Sequence, residues 1–503
     1  MTSALAERPT QSVAPARPHR SPRTSHVALG FGAASGLIAF AGSWIPSFWG
    51  DEAASVMSAE RSLPSLFAML HNVDSVHGTY YLLLHFWIDL FGATELSVRF
   101  PSAVSVGLAT AGVVLLAEWL FSRRVAVTAG VVCLILPRFT FMGAEARSYA
   151  LSTAVAVWLT VLLVRLLTLR IHRRLAWFGF AVGLAFGIYV FLYLALLIVV
   201  HGVFLLSSAQ SRRALKPWSI AVLAGLALAA PVILSAIAER HQIAFLAHRH
   251  RVTFGQALFG QWFGNLWLGL LCWALILIGV ALSFRAARMG AGSGMVLLLS
   301  WLILPTVLLL LGNALLAPMY SNRYLSFSAP AAAILVAVGV AALSWGWMRL
   351  SSVGILVALA LPVYVSQRTE FAMPGGSDWA VVSALIGRVA KPGDGILFDQ
   401  SVKPSWRPRL AMHLYPEDYR GLDDLALATP YDETAGLWDT VVPQSQLGSR
   451  MASVTKVWAL ETTKTREKAA DSDLNVLESH GFTLVQKTRV HRTIVYEFTR
   501  STP

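Results

Sequence analysis

Residues 293–314 read SGMVLLLSWLILPTVLLLLGNA, with no charged side chain. A helix needs about 20 predominantly apolar residues to cross the hydrocarbon core of a bilayer, and this run is long enough. Comparable runs fall at 28–48, 102–121, 125–142, 149–168, 175–190, 192–208, 217–238, 265–283, 325–344 and 353–367. Together they make eleven candidate spans, several of them short of the ideal length. Composition agrees: 56% of the 503 residues are hydrophobic and 13% are charged, whereas a soluble domain carries about 25% charged residues. The expected fold is an all-α polytopic membrane protein.

The net charge of +13 would suit a nucleic-acid binder if it formed one basic face. Its distribution is different. From residue 368 onward there are 16 Lys and Arg against 17 Asp and Glu. The preceding part holds 24 basic and 10 acidic residues, with the excess in short loops between apolar runs. Nucleic acid is therefore not an expected partner. Basic loops instead set topology, because Lys and Arg accumulate on the cytoplasmic side. With the N-terminal tail inside, the cytoplasmic loops hold 16 basic residues and the outer loops 8. Eleven spans then place the C-terminus outside. The absence of any Asn-x-Ser/Thr sequon favours a bacterial plasma membrane over the endoplasmic reticulum.

Three regions follow. Residues 1–27 read as a disordered basic cytoplasmic tail, rich in Pro, Ser and Arg. Residues 28–367 are the membrane domain. Its first apolar run is too long and too late for a cleaved signal peptide and reads as an anchor. The segment 79–92 is short and contains His85 and Asp89. It reads as a helix lying along the outer interface, which leaves a long first outer loop over 49–101. Residues 368–503 form a small extracytoplasmic α/β domain, entered through the turn Pro374-Gly375-Gly376. A helix is expected over 378–390, with strands at 396–398, 482–486 and 493–498. Cys133 and Cys272 both lie in apolar runs without metal-ligand spacing.

Four groups of residues could carry chemistry, and this topology puts all of them on the outer face. Asp51 and Glu52 follow the first span. Two adjacent carboxylates are unusual in a chain this poor in acids. One could serve as general base and the other could cap a helix or hold a cation; equally, Asp51 could simply cap the helix that follows. Glu145 lies in Glu145-Ala146-Arg147-Ser148-Tyr149, and between residues 119 and 369 Glu239 is the one other acid. It reads either as an active-site carboxylate or as a local ion pair with Arg147. His248, Arg249 and Arg251 cluster with further histidines, and Arg323 and Tyr324 stand at the edge of a span. Arginine suits bidentate phosphate binding, although the 241–251 group could also meet lipid headgroups. His77, Tyr80 and Tyr81 could hydrogen-bond and stack on a sugar, or form part of an aromatic belt.

The order of these motifs carries a resemblance. An Asp-Glu pair follows the first span, then His77-x-x-Tyr80-Tyr81, Arg99-Phe100-Pro101-Ser102, Arg123-Arg124, Glu145-Ala146-Arg147-Ser148-Tyr149 and Arg323-Tyr324-Leu325-Ser326. The arrangement resembles the bacterial protein-mannosyltransferase-like family of lipid-dependent glycosyltransferases, glycosyltransferase family 39. That family has the membrane-embedded type C fold and is related to the aminoarabinose transferases of lipid A. The resemblance covers most of 28–340. It implies Asp51 as catalytic base with Glu52 beside it, Glu145 as second active-site carboxylate, and Arg323 with Tyr324 near the donor phosphate. Relatives often carry a His before an aromatic in the middle spans; here the stretch reads Val190-Phe191-Leu192-Tyr193. Residues 377–394 resemble the outer domains of related actinobacterial-type proteins, a match that names no activity.

The chemistry fits that implication. A polyprenyl-phosphate sugar presents its head group at the outer face. Its phosphate leaving group calls for cations, from Arg323 and from Arg147 or the 241–251 loop, and the acceptor hydroxyl calls for a base. The expected reaction transfers a mannose-like sugar to a glycan, lipid or protein acceptor of the cell envelope, and the resemblance implies inversion at the anomeric carbon. No cofactor is required; a divalent cation near Asp51 and Glu145 is optional. The rival readings are a lipid-linked-saccharide transporter and a non-enzymatic lipid-binding protein. A transporter would carry internal repeats and mid-span charges, and the sequence shows neither.

Overall fold

The structure is a computed structural model and describes residues 22–168, 173–239, 252–287, 292–463 and 474–500. After helix α1 (Pro22–Phe40), the chain forms a cap of α2 (Gly50–Glu60), α3 (Leu63–Leu70) and α4 (Gly78–Phe91). It then returns through α5 (Glu95–Leu120), α6 (Arg123–Ile135), the short α7 (Pro137–Met142), α8 (Tyr149–Thr168), α9 (Arg173–Val190) and α10 (Leu196–Leu206). A single turn, α11 (Ala209–Arg212), precedes α12 (Leu215–Ala238), α13 (Leu266–Ala287), α14 (Gly292–Leu315), α15 (Ala329–Ala342) and α16 (Gly346–Ser366).

Among the described residues, seven helices are long and apolar enough to cross a membrane. They are α5, α8, α12, α13, α14, α15 with its 3₁₀ lead-in from Asn322, and α16. The other expected spans coincide with α1, α6, α9 and α10, of 19, 13, 18 and 11 residues. The segment 79–92 forms α4, a 14-residue helix with Leu83, Phe86, Leu90 and Phe91 exposed.

Small residues and prolines shape the bundle. Gly32 and Gly107 let α1 and α5 meet backbone to backbone: a Cβ on Gly107 would stand 2.8 Å from the Gly32 carbonyl oxygen. Such close approach is the usual route to dispersion contact between helices in lipid. The expected span 125–142 is broken at Leu136, whose extended backbone (φ −65°, ψ 119°) precedes Pro137. A residue before proline is driven out of the helical region. The chain therefore turns early into α7 and delivers residues 143–148 beside α2.

The C-terminal domain contains α17 (Trp379–Val389), α18 (Leu410–Leu414) and α19 (Leu447–Arg450) with a five-stranded sheet. Its strands are β1 (Gly395–Phe398), β2 (Asp423–Asp424), β5 (Lys456–Thr462), β6 (Phe482–Arg489) and β7 (Thr493–Arg500), in the order β2-β1-β5-β7-β6. Strand β1 is parallel to β2 and β5, whereas β7 is antiparallel to β5 and β6. A separate two-stranded ribbon pairs β3 (Leu427–Thr429) with β4 (Thr440–Val441). The expected helix and strands are present; the central β5 lies outside them. Side chains alternate across a strand, so Ile396, Phe398, Trp458 and Leu460 face one core while Leu397, Val457 and Ala459 face another.

That first core is shared. Phe48, Met57, Leu66 and Tyr81 of the cap pack in one cluster with Trp379, Phe398, Leu414 and Trp458 of the domain. Burying one such side chain contributes about 1.5–3 kcal/mol, so the seam is a folding unit rather than a loose contact. Arg61 is fully buried in it and donates to the carbonyls of Thr434 at 2.9 Å and Gly436 at 2.6 Å.

Candidate active site

Helix α2 starts at Gly50 behind an extended Trp49, and no side chain caps it. Asp51 and Glu52 both lie in its first turn, where the helix dipole favours negative charge. Neighbouring helical residues point about 100° apart, and the two carboxylates meet different surroundings. Glu52 and Arg99 are fully buried. Arg99 Nε donates to Glu52 Oε1 at 2.8 Å and Nη2 to Oε2 at 2.6 Å. Glu52 Oε1 also accepts from the backbone N–H of Ala146 at 2.8 Å. Arg99 further donates to the carbonyls of Ser43, Pro46 and Ser47. Glu52 is thus engaged at both oxygens and ties α2, α5 and the 145–147 turn together. Glu52, expected beside Asp51 in the reaction, has its carboxylate turned into the protein.

Asp51 is turned the other way, with 31% of its side chain exposed, and Oδ2 accepts from Arg323 Nη1 at 2.9 Å. Capping of α2 is not what Asp51 does. Burial among protein atoms pushes its carboxyl up, but the Arg323 and Arg147 guanidiniums and the hydrogen bond from Arg323 outweigh this. They hold it below the ordinary Asp value. Arg323 lies in the 3₁₀ segment Asn322–Ser328. Its guanidinium stands 4.6 Å from the Trp49 ring centre and 5.9 Å from that of Tyr149, contacts that fix a cation without consuming its N–H groups.

Arg147 Nη1 donates to the Asp51 carbonyl and to Ser55 Oγ, both at 3.0 Å, and its Nη2 lies 3.2 Å from His77 Nε2. Burial, and then the Arg147 charge, lower the His77 pKa to about 4. A neutral His77 therefore accepts from Arg147. No ion pair joins Glu145 to Arg147. Glu145 is completely buried, and neither of its carboxylate oxygens has a hydrogen-bond partner. Burial raises its pKa to about 7, although Arg323, Arg138 and Arg147 all pull it down. An unpartnered buried carboxyl among three guanidiniums is costly to the fold and is a mark of a functional site.

The aromatic residues divide. Tyr80 and Tyr81 are buried in the shared core, and Tyr81 donates to Asp74 Oδ2 at 2.8 Å. The Tyr81 ring also meets that of His77, with centres 5.9 Å apart, so it supports the Arg147–His77 side of the site. Tyr149 is also buried, with Phe191 and Tyr324 around it. Tyr324 and Tyr193 are half-buried, with ring centres 5.4 Å apart. His248, Arg249 and Arg251 lie outside the described residues.

Sequence reading gave no role to Arg99, Arg138 or the pair Phe191 and Tyr193. Arg138 is buried and donates to the carbonyls of Gln261 at 2.7 Å and Gly260 at 3.2 Å. The available signal was an arginine near the end of an apolar run, where a charge at membrane depth is expensive and usually functional. Among the described residues, no group of three or more His, Cys, Asp or Glu is arranged to hold a metal ion.

Comparison with known proteins follows this geometry. The family model for dolichyl-phosphate-mannose-protein mannosyltransferases matches residues 79–234. A crystal structure of ArnT from Cupriavidus metallidurans in the apo state superposes with a TM-score of 0.58 at 15% identity, covering 95% of this chain and 98% of that one. The chain carries the type C glycosyltransferase fold. ArnT from the same organism bound to undecaprenyl phosphate gives a TM-score of 0.57 at 14% identity, over 94% and 98% of the two chains. The archaeal oligosaccharyltransferase AglB from Archaeoglobus fulgidus, in complex with an inhibitory peptide and a dolichol-phosphate, gives 0.51 at 12% identity. That match covers 94% of this chain and 74% of that one. A search of curated protein sequences gives no match. Within the type C fold, the family match takes in Glu145, Arg147, Tyr149 and Tyr193. Asp51 and Arg323 lie on either side of it in sequence, and folding brings them into contact.

Proposed function

We propose that this protein is a membrane glycosyltransferase that moves a mannose-like sugar from a polyprenyl-phosphate donor to an acceptor hydroxyl of the bacterial cell envelope. The transfer takes place on the extracytoplasmic face, with Asp51 as general base. The observation that carries the reading is the half-open Asp51 carboxylate paired with Arg323. Asp51 takes the acceptor proton while the acceptor oxygen bonds to the anomeric carbon. The bond from that carbon to the phosphate oxygen breaks, and polyprenyl phosphate leaves with the negative charge. Arg323 stands where that charge develops, in reach of both Asp51 and the leaving phosphate. As Arg323 turns to the phosphate, its hold on Asp51 slackens and the carboxylate becomes more basic.

In this reading Glu145 is the second carboxylate of the site, and Tyr193 and Tyr324 line its open wall. A divalent cation at Asp51 and Glu145 would add to the charge supplied by the arginines, and chelation during turnover tests for it. The decisive experiment uses purified protein in nanodiscs with radiolabelled polyprenyl-phosphate mannose and a cell-envelope extract as acceptor. Asp51→Asn should bind donor normally and lose transfer by on the order of 10²–10⁴-fold. Normal transfer by a folded Asp51→Asn protein removes this residue as base. An unmodified protein that binds donor yet transfers nothing to any envelope fraction points to a lipid-binding protein instead.

A further inference from the structure

The C-terminal domain grips the segment that carries the base. Ser47 Oγ accepts from the backbone N–H of Ala380 at 2.7 Å. The Phe48 carbonyl accepts from Ser377 Oγ at 2.5 Å, and the Phe48 N–H donates to Tyr415 Oη at 3.0 Å. Tyr415 in turn donates to Glu95 Oε1 at 2.5 Å, at the first residue of α5. Gly50 is pressed against the 403–407 segment: a Cβ there would stand 2.0 Å from the Ser405 carbonyl oxygen and 2.9 Å from Ser405 Cβ. Alanine is the better helix former, so the glycine at the start of α2 is explained by this contact and not by the helix.

The grip alternates with the chemistry. Residues 47, 48 and 50 are held by the domain, whereas Trp49 and Asp51 hold Arg323 through the ring face and the carboxylate.

We propose that the C-terminal domain is a working part of the active site, with Tyr415 as a positioning residue and the Ser405–Gly50 contact as a stop that together set Asp51 against Arg323. The proposal rests on the reading of Asp51 as base. The domain does not touch the reacting atoms in this scheme; it acts through the backbone of 47–50. A displacement of about 1 Å at a reacting group is enough to cost on the order of 10²-fold in rate.

The test uses the full chain in nanodiscs with Tyr415→Phe and Gly50→Ala, measured beside Asp51→Asn. Both positioning variants should lower kcat by on the order of 10- to 100-fold while leaving the donor KM unchanged. Asp51 freed from Arg323 titrates higher, so the acid limb of the kcat profile should move to higher pH, which a merely structural role would not do. A readout independent of chemistry comes from Asp51→Cys, since native Cys133 and Cys272 are buried. Its labelling by a membrane-impermeant maleimide, applied from outside intact cells, should change rate several-fold when Tyr415→Phe or Gly50→Ala is added. Wild-type kcat and unchanged labelling in both variants overturn the proposal, even where Asp51→Asn is inactive. Transfer by Asp51→Asn combined with altered labelling sinks the base reading and keeps the positioning role. Loss of folded protein in both variants also overturns the proposal, leaving a seam that serves stability alone.

Discussion

Asp51 and Glu52 are neighbours in the chain, and each pairs with an arginine, yet the two sides of α2 do opposite things. On the closed side, the Glu52–Arg99 pair is fully buried, and Glu52 Oε1 takes a further bond from Ala146. On the open side, Arg323 reaches Asp51 through one oxygen, and the carboxylate keeps part of its surface for another group. A buried charge has to be completely partnered for the fold to tolerate it. A charge that must act on a substrate has to be left incompletely partnered. On the proposed reading, saturation rather than the presence of an ion pair separates the structural acid from the chemical one.

The comparison breaks most directly at Asp51. Asp51→Asn should reduce transfer by on the order of 10²–10⁴-fold with only a modest fall in thermal stability, because the ion pair to Arg323 is partly exposed and no capping bond is lost. Arg99→Ala should show the opposite signature. It leaves Glu52 charged and unpaired in the core, at a cost of about 3–5 kcal/mol. The expected result is little folded protein on size-exclusion chromatography, and a folded, active Arg99→Ala protein would mean that Glu52 is not the anchor described. A smaller effect is expected for Arg323→Lys, which keeps the charge but loses the planar fork. The donor KM should rise by about tenfold, with binding to Asp51 partly kept; wild-type kinetics would pass the phosphate role to another cation.

The smallest effect concerns Glu145. Its folded pKa is raised from 4.5 to about 7, so the folded state holds a proton that the unfolded chain has already released in that window. Stability should therefore fall as pH rises from 4.5 to about 7. Glu145→Gln removes that slope, and thermal midpoints measured across the window should run flatter than those of the unmodified protein. An unchanged slope would mean that Glu145 does not titrate there. Transfer should fall as well, with loss of any inflection near neutral pH.

Much of the fold was legible because lipid imposes a simple rule on sequence. Seven of the expected spans appear as helices long enough to cross, and α17, β1, β6 and β7 fall where periodicity put them. Strand β5 was missed because KVWALET lacks apolar-polar alternation; its continuous apolar centre reads equally as part of a buried helix. The break at Pro137 was missed since the apolar run continues through it. At the site, Asp51, Glu145, Arg147 and Arg323 were singled out as charges at span ends in a chain that has few. Tyr80 and Tyr81 were read either as sugar contacts or as part of an aromatic belt, and packing places both in the shared core. Pattern gives a helix its apolar stripe; it does not say which neighbour covers that stripe.

By itself the sequence determined a polytopic helical protein with an α/β domain at its C-terminal end, and a short roster of charges at membrane faces. Hydropathy and charge are local properties, and the bilayer reads them locally. Only the tertiary structure decided which carboxylate is saturated and which is open, that Asp51 meets Arg323 from the far end of the membrane domain's sequence, and that the C-terminal domain shares a core with the segment that bears Asp51. Those outcomes depend on contacts between residues hundreds of positions apart, such as Phe48 with Tyr415. No local pattern encodes them; they follow from how the whole chain covers its buried faces and pairs its buried charges at once.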